Sequence, residues 1–317
     1  MSGEFELITR HFATLTPPAA SVVLGVGDDA ALLDLPPGHE LAITVDTLVE
    51  GVHFFANCPP DALGHKALAV NLSDLAAMGA EPTWVLLALT LPAVDDAWLD
   101  QFAGGFARLA RDFGVTLVGG DTCRGPLAVS VTAVGQIPRG QALRRSGAQP
   151  GDGVYVSGEI GAAGLAVLAR RGDIALPRTL AARAAQRLDY PQPRIALGLA
   201  LRGLASAAID VSDGLLADLG HICAASGVGS RLDLGCLPLP DGALDVVCHE
   251  SLLGSGDDYE LCFTVPPRHE PALLAVAASI GCAVTRIGRI ETAPGVWLID
   301  AAGQARLAKP DGHDHFR

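Results

Sequence analysis

The residues of this chain best suited to chemistry are aspartates that close apolar runs. Asp28-Asp29 follows the run from Ser21 to Val26, Asp46 follows Leu41 to Val45, and Asp121 follows Val115 to Val118 and a pair of glycines. Asp210 and Asp213 follow Ala207 to Ile209, and Asp257-Asp258 adjoins the run from Tyr259 to Val265. Asp74 differs, because it sits inside a mostly apolar segment with Asn71 on the same helical face. In open α/β folds ligands collect beyond strand ends, so acids placed there by several strands would converge. Two carboxylates about 4 Å apart repel by roughly 4 kcal/mol at an effective dielectric of about 20. Several in one cleft therefore require cations, and hard, oxygen-seeking Mg²⁺ shared with substrate phosphates meets that requirement. Taken singly, each aspartate is explained equally well as a helix cap or turn residue, and Asp213 before Gly214-Leu215-Leu216 suits a cap. Asp74 resists that explanation, since an acid in an apolar helix needs a partner.

The overall charge agrees with this chemistry. With 22 Lys and Arg against 35 Asp and Glu, the net charge is −13, which argues against nucleic acid or an anionic membrane as partner. An acidic protein that handles anions needs cations alongside them, and an acidic cleft filled with Mg²⁺ is a receptor for a triphosphate. Apolar runs such as Trp84 to Leu91 fall short of the roughly 20 residues of a membrane span, and the opening MSGEFELITR has no secretory core. The seven cysteines are scattered and form no C-x-x-C pair, so reduced thiols in a cytoplasmic protein are expected and a zinc site is not.

The elements that must position these residues are interleaved strands and helices. Periodicity predicts helices over 3–12, 60–79, 95–113, 164–171, 179–188, 194–205 and 213–225. It predicts strands over 21–26, 41–45, 84–91, 115–118, 127–137, 154–157, 207–209, 259–265, 283–290 and 296–299. The stretch 138–153, rich in Gly, Pro and charge, has no apolar period and reads as a connection between two domains, 1–138 and 139–317. The segments beginning Gly27-Asp28-Asp29 and Gly256-Asp257-Asp258 start alike, but so short an acidic turn does not establish a repeat.

Other motifs carry less. Gly25-Val26-Gly27-Asp28-Asp29-Ala30 fits a relaxed dinucleotide fingerprint, yet aspartates stand where amides should face a pyrophosphate and Pro36-Pro37 limits any following helix. Gly120 and Gly125 have P-loop spacing, but Pro126 replaces the lysine. Gly158, Gly161 and Gly164 suit either a phosphate at a helix N-terminus or close helix packing. Cys58 and Cys123 have no adjacent base that would make them nucleophiles. Arg124, Arg144 and Arg145 are either phosphate clamps or solvated loop charges, and His53 is either a phosphate contact or an ordinary loop histidine.

The blocks VGDDAALL, ITVDTLVEGVHF, KALAVNLSDLAAMGAEP, VGGDTCRGP, LRRSGAQPGD, AIDVSDGLLADLGHI, GDDYELCFT and GHDHF occur in that order. Together they resemble the thiamine-monophosphate kinases, relatives of aminoimidazole ribonucleotide synthetase and selenophosphate synthetase, from near residue 4 to Phe316. The resemblance implies a two-domain α/β (α+β) protein, with an N-terminal sheet-and-helix domain that binds ATP and Mg²⁺ and forms a homodimer interface, followed by a C-terminal α/β domain. It implies direct transfer of the ATP γ-phosphoryl to thiamine monophosphate, with several Mg²⁺ ions and no covalent enzyme intermediate. By motif position, Asp29, Thr44, Asp46, Asp74, Asp121, Asp210 and Asp213 are implied metal ligands, with Val45 among them through its carbonyl. Gly120, Asp121, Arg145 and Ser212 are implied ATP contacts, and His53, Asp257 and His313 substrate contacts.

Two positions depart from the family pattern. Asp257 replaces the glutamate of GGEDYEL, and His313 replaces the aromatic residue of a GYDHF-like segment; both bear on substrate affinity more than on reaction type. The competing expectations are another ATP-using enzyme of the same superfamily, or a non-catalytic nucleotide- and Mg²⁺-binding regulator. A selenophosphate synthetase would carry a reactive cysteine in an N-terminal glycine-rich segment, whereas the first cysteine here is Cys58.

Overall fold

The computed structural model describes residues 4–308, and the chain forms two compact units. One comprises residues up to Leu75 together with Ala80–Gly140, and the other comprises Ala76–Gly79 and the chain from Gln141 onward.

The first unit contains α1 (Glu4–His11), β1 (Val22–Leu24), β2 (Leu32–Leu33), β3 (His39–Val49), α2 (Pro60–Ala77), β4 (Glu81–Leu91), α3 (Asp96–Asp112), β5 (Thr116–Arg124) and β6 (Ala128–Pro138). Strands β3, β6, β4 and β5 form one sheet in that order, antiparallel except for the β4–β5 pair. Strand β6 alternates buried and half-buried residues along its length, the signature of a sheet with one face in the core. Helix α2 is apolar almost all round and is buried accordingly, with Leu63, Leu68, Leu72 and Leu75 essentially inaccessible. Helix α3 starts where Asp95 accepts from the amides of Ala97 (2.9 Å) and Trp98 (3.2 Å).

Glycines let α2 and α3 touch backbone to backbone. A Cβ on Gly64 would lie 2.1 Å from the Phe102 carbonyl oxygen, and one on Gly105 would lie 1.9 Å from that of Asp61. Alanine is the better helix former by about 1 kcal/mol, but forcing a methyl into backbone costs about 1–3 kcal/mol or more. Gly105→Ala should therefore destabilise the protein in urea unfolding, and a more stable variant would refute the close crossing.

The second unit contains β7 (Gly153–Ser157), α4 (Ala162–Arg171), α5 (Arg178–Asp189), α6 (Ile195–Ala200), β8 (Ala207–Asp210), α7 (Leu215–Ser226), β9 (Gly229–Asp233), α8 (His249–Leu253), β10 (Leu261–Val265), α9 (Glu270–Ser279), β11 (Val284–Glu291), β12 (Gly295–Ile299) and β13 (Ala305–Leu307). Its sheet runs β13-β12-β9-β11-β7-β10-β8, antiparallel except for β9 beside β12. Val154, Val156, Ile209, Leu219, Ile222 and Leu298 contribute to one buried cluster.

Several expectations change. Asp46 and Asp121 lie within β3 and β5, not beyond strand ends, because each edge strand goes on pairing with its inner neighbour past the apolar run. The two larger sheets are largely antiparallel, so the rule that ligands gather past the ends of parallel strands does not organise this site. Strands β9 and β13 are short and carry polar residues, which hid them from pattern reading. Among the described residues no helix is long and apolar enough to cross a membrane.

Candidate functional site

In the first unit, Ala42, Thr44, Asp46 and Leu48 share one face of β3, and Ala42 and Leu48 are buried. On that face Thr44 Oγ1 donates to Asp74 Oδ2 of α2 at 2.5 Å. Asn71, one helical turn before Asp74, accepts from the Asp46 amide at 3.0 Å and donates to the Ala67 carbonyl at 3.0 Å. The partner that Asp74 required is thus a threonine on the neighbouring strand, and Asn71 fixes the backbone that carries Asp46. The side chain of Val45 belongs to the opposite, exposed face.

Asp121 occupies the other edge of the same sheet. It stands opposite Ala88, which stands opposite Ser130, whose hydroxyl is 2.7 Å from that of Thr47. Asp121 therefore shares the outer face with Thr47, whereas Asp46 shares the inner face with Val131 and Leu87. Three strand spacings separate the edges, about 14 Å, while a cation holds its oxygens at about 2 Å. Within one sheet, then, no single ion takes both carboxylates. Gly120 has a structural reason to be glycine, since a Cβ there would lie 1.9 Å from the Leu87 carbonyl oxygen. Asp29 is exposed, and its amide donates to Asp28 Oδ1 at 2.8 Å. His53 accepts at Nδ1 from the Val49 amide at 3.0 Å.

In the second unit, β8 ends at Asp210, which is buried, and the turn Val211–Gly214 leads into α7. Asp213 is not the cap that its position suggested; the N-cap is Gly214, which has no side chain. Its place is taken by Asp218, from within the helix, whose Oδ2 accepts from the amides of Ser212 (3.0 Å), Asp213 (3.1 Å) and Gly214 (3.1 Å). Burial, reinforced by the Asp213 charge, pushes the Asp218 carboxyl up to about 7 against the opposing pull of those three amides. Sequence reading passed over Asp218; its signal was an acid on the apolar face of an otherwise buried helix. The Arg145 backbone lies near the far end of α7, where its carbonyl accepts from Ser226 Oγ at 3.4 Å. A helix of this length spans about 18 Å, so the Arg145 backbone and Ser212 lie toward opposite ends of α7.

The segment Gly256–Glu260 lies along that turn. The Asp257 amide donates to the Ser212 carbonyl and the Tyr259 amide to the Val211 carbonyl, each at 2.9 Å. Asp257 and Tyr259 have φ of 68° and 49°, the only left-handed non-glycine residues among those described. That conformation costs of order 1–3 kcal/mol and persists only where neighbours enforce it. The neighbours are visible: Tyr259 Oη donates to Asp257 Oδ1 at 3.2 Å, and between them buried Asp258 accepts from the Gly161 amide at 2.7 Å. Burial holds the Asp258 carboxyl well above its ordinary range, and the Gly161 amide works against that shift. The same strain explains why the strand expected from 259 starts only at Leu261.

This settles the glycine pattern at 158–164. The N-terminus of α4 already receives a carboxylate from the chain itself, and added Cβ atoms on Gly158, Gly161 and Gly164 would meet Glu260, Leu252 and Ser255 at 2.1, 2.9 and 2.1 Å. Those glycines serve packing, not phosphate.

Among the described residues no three His, Cys, Asp or Glu side chains converge into a ready-made metal centre. The donors nevertheless suit Mg²⁺, since Thr44, Asp46, Asp74 and, separately, Ser212 and Asp213 offer oxygen ligands only, with coordination left for phosphate and water. His313 lies outside the described residues.

Residues 27–137 match the family model of the AIR synthase related protein, N-terminal domain, and residues 149–300 that of the C-terminal domain. The chain is 47% identical to the thiamine-monophosphate kinase of Escherichia coli (strain K12) over 320 residues, covering 99% of this chain and 98% of that protein. It is 35% identical to the thiamine-monophosphate kinase of Bacillus subtilis (strain 168) over 331 residues, covering 99% of each. Among solved structures, a thiamine-monophosphate kinase from Stenotrophomonas maltophilia K279a superposes with a TM-score of 0.83 at 46% identity, over 90% of this chain and 93% of that one. A complex of AaThiL with AMPPCP and TMP superposes with a TM-score of 0.76 at 33% identity, over 89% of each.

Proposed function

The chain belongs to the thiamine-monophosphate kinase family, within the AIR synthase related proteins, and from that premise we propose that it makes thiamine diphosphate and ADP from thiamine monophosphate and ATP. The observation that carries this reading is the likeness to thiamine-monophosphate kinases over 99% of the chain. An acceptor phosphate oxygen forms a bond to the γ-phosphorus while the bond to the β–γ bridging oxygen breaks, and ADP leaves with that electron pair. The acceptor oxygen is already ionised near neutral pH, so the protein need supply no general base. Its task is to bring two anions into line. Mg²⁺ held by Asp46, Asp74, Thr44, Asp29 and Asp121 of the first unit, and by Asp210 and Asp213 of the second, would neutralise phosphate charge. The Val45 carbonyl would complete that set. Gly120, Asp121, Arg145 and Ser212 would hold ATP, and His53 and Asp257 the thiamine phosphate; the strained setting of Asp257 supports a recognition role.

The test is ADP release from ATP and MgCl₂ with and without thiamine monophosphate, with the product identified by mass. Thiamine diphosphate formed in step with ADP is the expected result; ATP turnover without it would overturn the reading.

The working form is a homodimer in the cytoplasm. Leu41, Ile43 and Val45 on β3 are 47%, 64% and 60% exposed, and Leu86 on β4 extends the same apolar face, a surface a lone molecule would not leave to water. Ile43→Asp should shift sedimentation from dimer to monomer, and an unchanged dimer would place the interface elsewhere. All seven cysteines are free thiols, in keeping with a reducing compartment.

A further inference from the structure

The turn from Ser212 to Gly214 is built unlike a phosphate-binding loop. Anion-binding turns aim successive amides at their ligand. Here all three amides are already committed to one oxygen, Asp218 Oδ2, at 3.0–3.1 Å. Asp218 is only 2% exposed and lies in the first turn of α7, where the positive end of the helix favours a carboxylate. The other side of the turn is committed too. The Ser212 carbonyl takes the Asp257 amide, and Gly256 presses so close that a Cβ would lie 2.0 Å from the Ser212 oxygen. Gly214 takes φ of 119° with Gly254 against it. What remains for a ligand is the Ser212 hydroxyl and the Asp213 carboxylate, groups that meet a triphosphate through a cation or a hydroxyl bond and not through backbone amides.

We propose that Asp218 is a positioning residue for the Mg²⁺–ATP complex: it withdraws the three amides from solvent, fixes the turn, and makes side-chain oxygens the face presented to ligand. Asp218 itself touches neither nucleotide nor cation. This rests on the reading above that Ser212 and Asp213 meet that complex.

The test uses the full-length protein and two variants, Asp218→Ala and Asp218→Asn. Hydrogen exchange at residues 212–214 is measured without ligand, and binding of ATP with MgCl₂ and of thiamine monophosphate is measured separately by calorimetry. Asp218→Ala should speed exchange at those amides and weaken Mg²⁺–ATP binding about tenfold or more, the scale of losing charge-assisted hydrogen bonds. Thiamine monophosphate binding should change by less than about twofold, and Asp218→Asn, which keeps an oxygen acceptor, should recover most of the loss. Faster exchange with unchanged Mg²⁺–ATP affinity would overturn the proposal. So would equal loss of both ligands in both variants, which would mark Asp218 as merely structural. A native protein that binds Mg²⁺–ATP yet forms no thiamine diphosphate would defeat the functional reading and leave this test readable.

Discussion

Asp46→Asn and Asp121→Asn are each expected to lower thiamine diphosphate formation by on the order of 10²- to 10³-fold, the cost of losing one charge-stabilising group at a reacting centre. Asparagine nearly matches aspartate in shape, so the substitutions remove charge and little else. At Asp46 the bond to Asn71 comes from the backbone amide and survives. Asp121 is exposed on an edge strand, where substitutions move stability by no more than about 0.5 kcal/mol. The check is steady-state turnover across a range of MgCl₂ together with thermal unfolding. Both variants should fold normally and require more Mg²⁺; near-native turnover in both would remove these aspartates from the cation sites. Because the two residues lie on different edges and faces of the sheet, each should impair a different ion. A double variant should then lose more than either single one.

The second large effect concerns stability. Glu260 is 1% exposed and takes a two-pronged arginine: Arg194 Nε lies 2.6 Å from Oε2 and Nη2 lies 2.5 Å from Oε1. Ser157 donates to Oε2 at 2.5 Å, and Arg187 stands 3.6 Å from Oε1. Burial works against the Arg194 cation, but the bonds to Glu260 outweigh it and hold its pKa above the ordinary value. Glu260→Ala strands one largely buried guanidinium and a hydroxyl, and breaking such a pair costs about 3–5 kcal/mol. For a domain of this size that corresponds to a fall in melting temperature of roughly 6–20 °C. Calorimetry of the second unit's transition would show it. A loss below about 1 kcal/mol would mean that the network is solvated and contributes little.

Asp46 and Glu260 also mark where sequence reading ends. The sequence by itself determined the chemistry: acid-rich turns, a −13 charge, an acid within an apolar helix, and ordered blocks resembling one kinase family. It determined most elements as well, because α3 and β6 announce themselves by apolar period and α2 by the length of its apolar segment. Periodicity is local, so it says nothing of which residues meet across the fold. Only the tertiary structure paired Thr44 with Asp74 across 30 residues and Asp258 with Gly161 across 97. Only the strand order put Asp46 and Asp121 on opposite edges, correcting the picture of acids gathered past parallel strand ends. The glycines at 158–164 and the acid at 218 were ambiguous for the same reason. A glycine fits both a ligand and a packed neighbour, and a carboxylate fits both a metal and a row of amides, until the partner atom is in place.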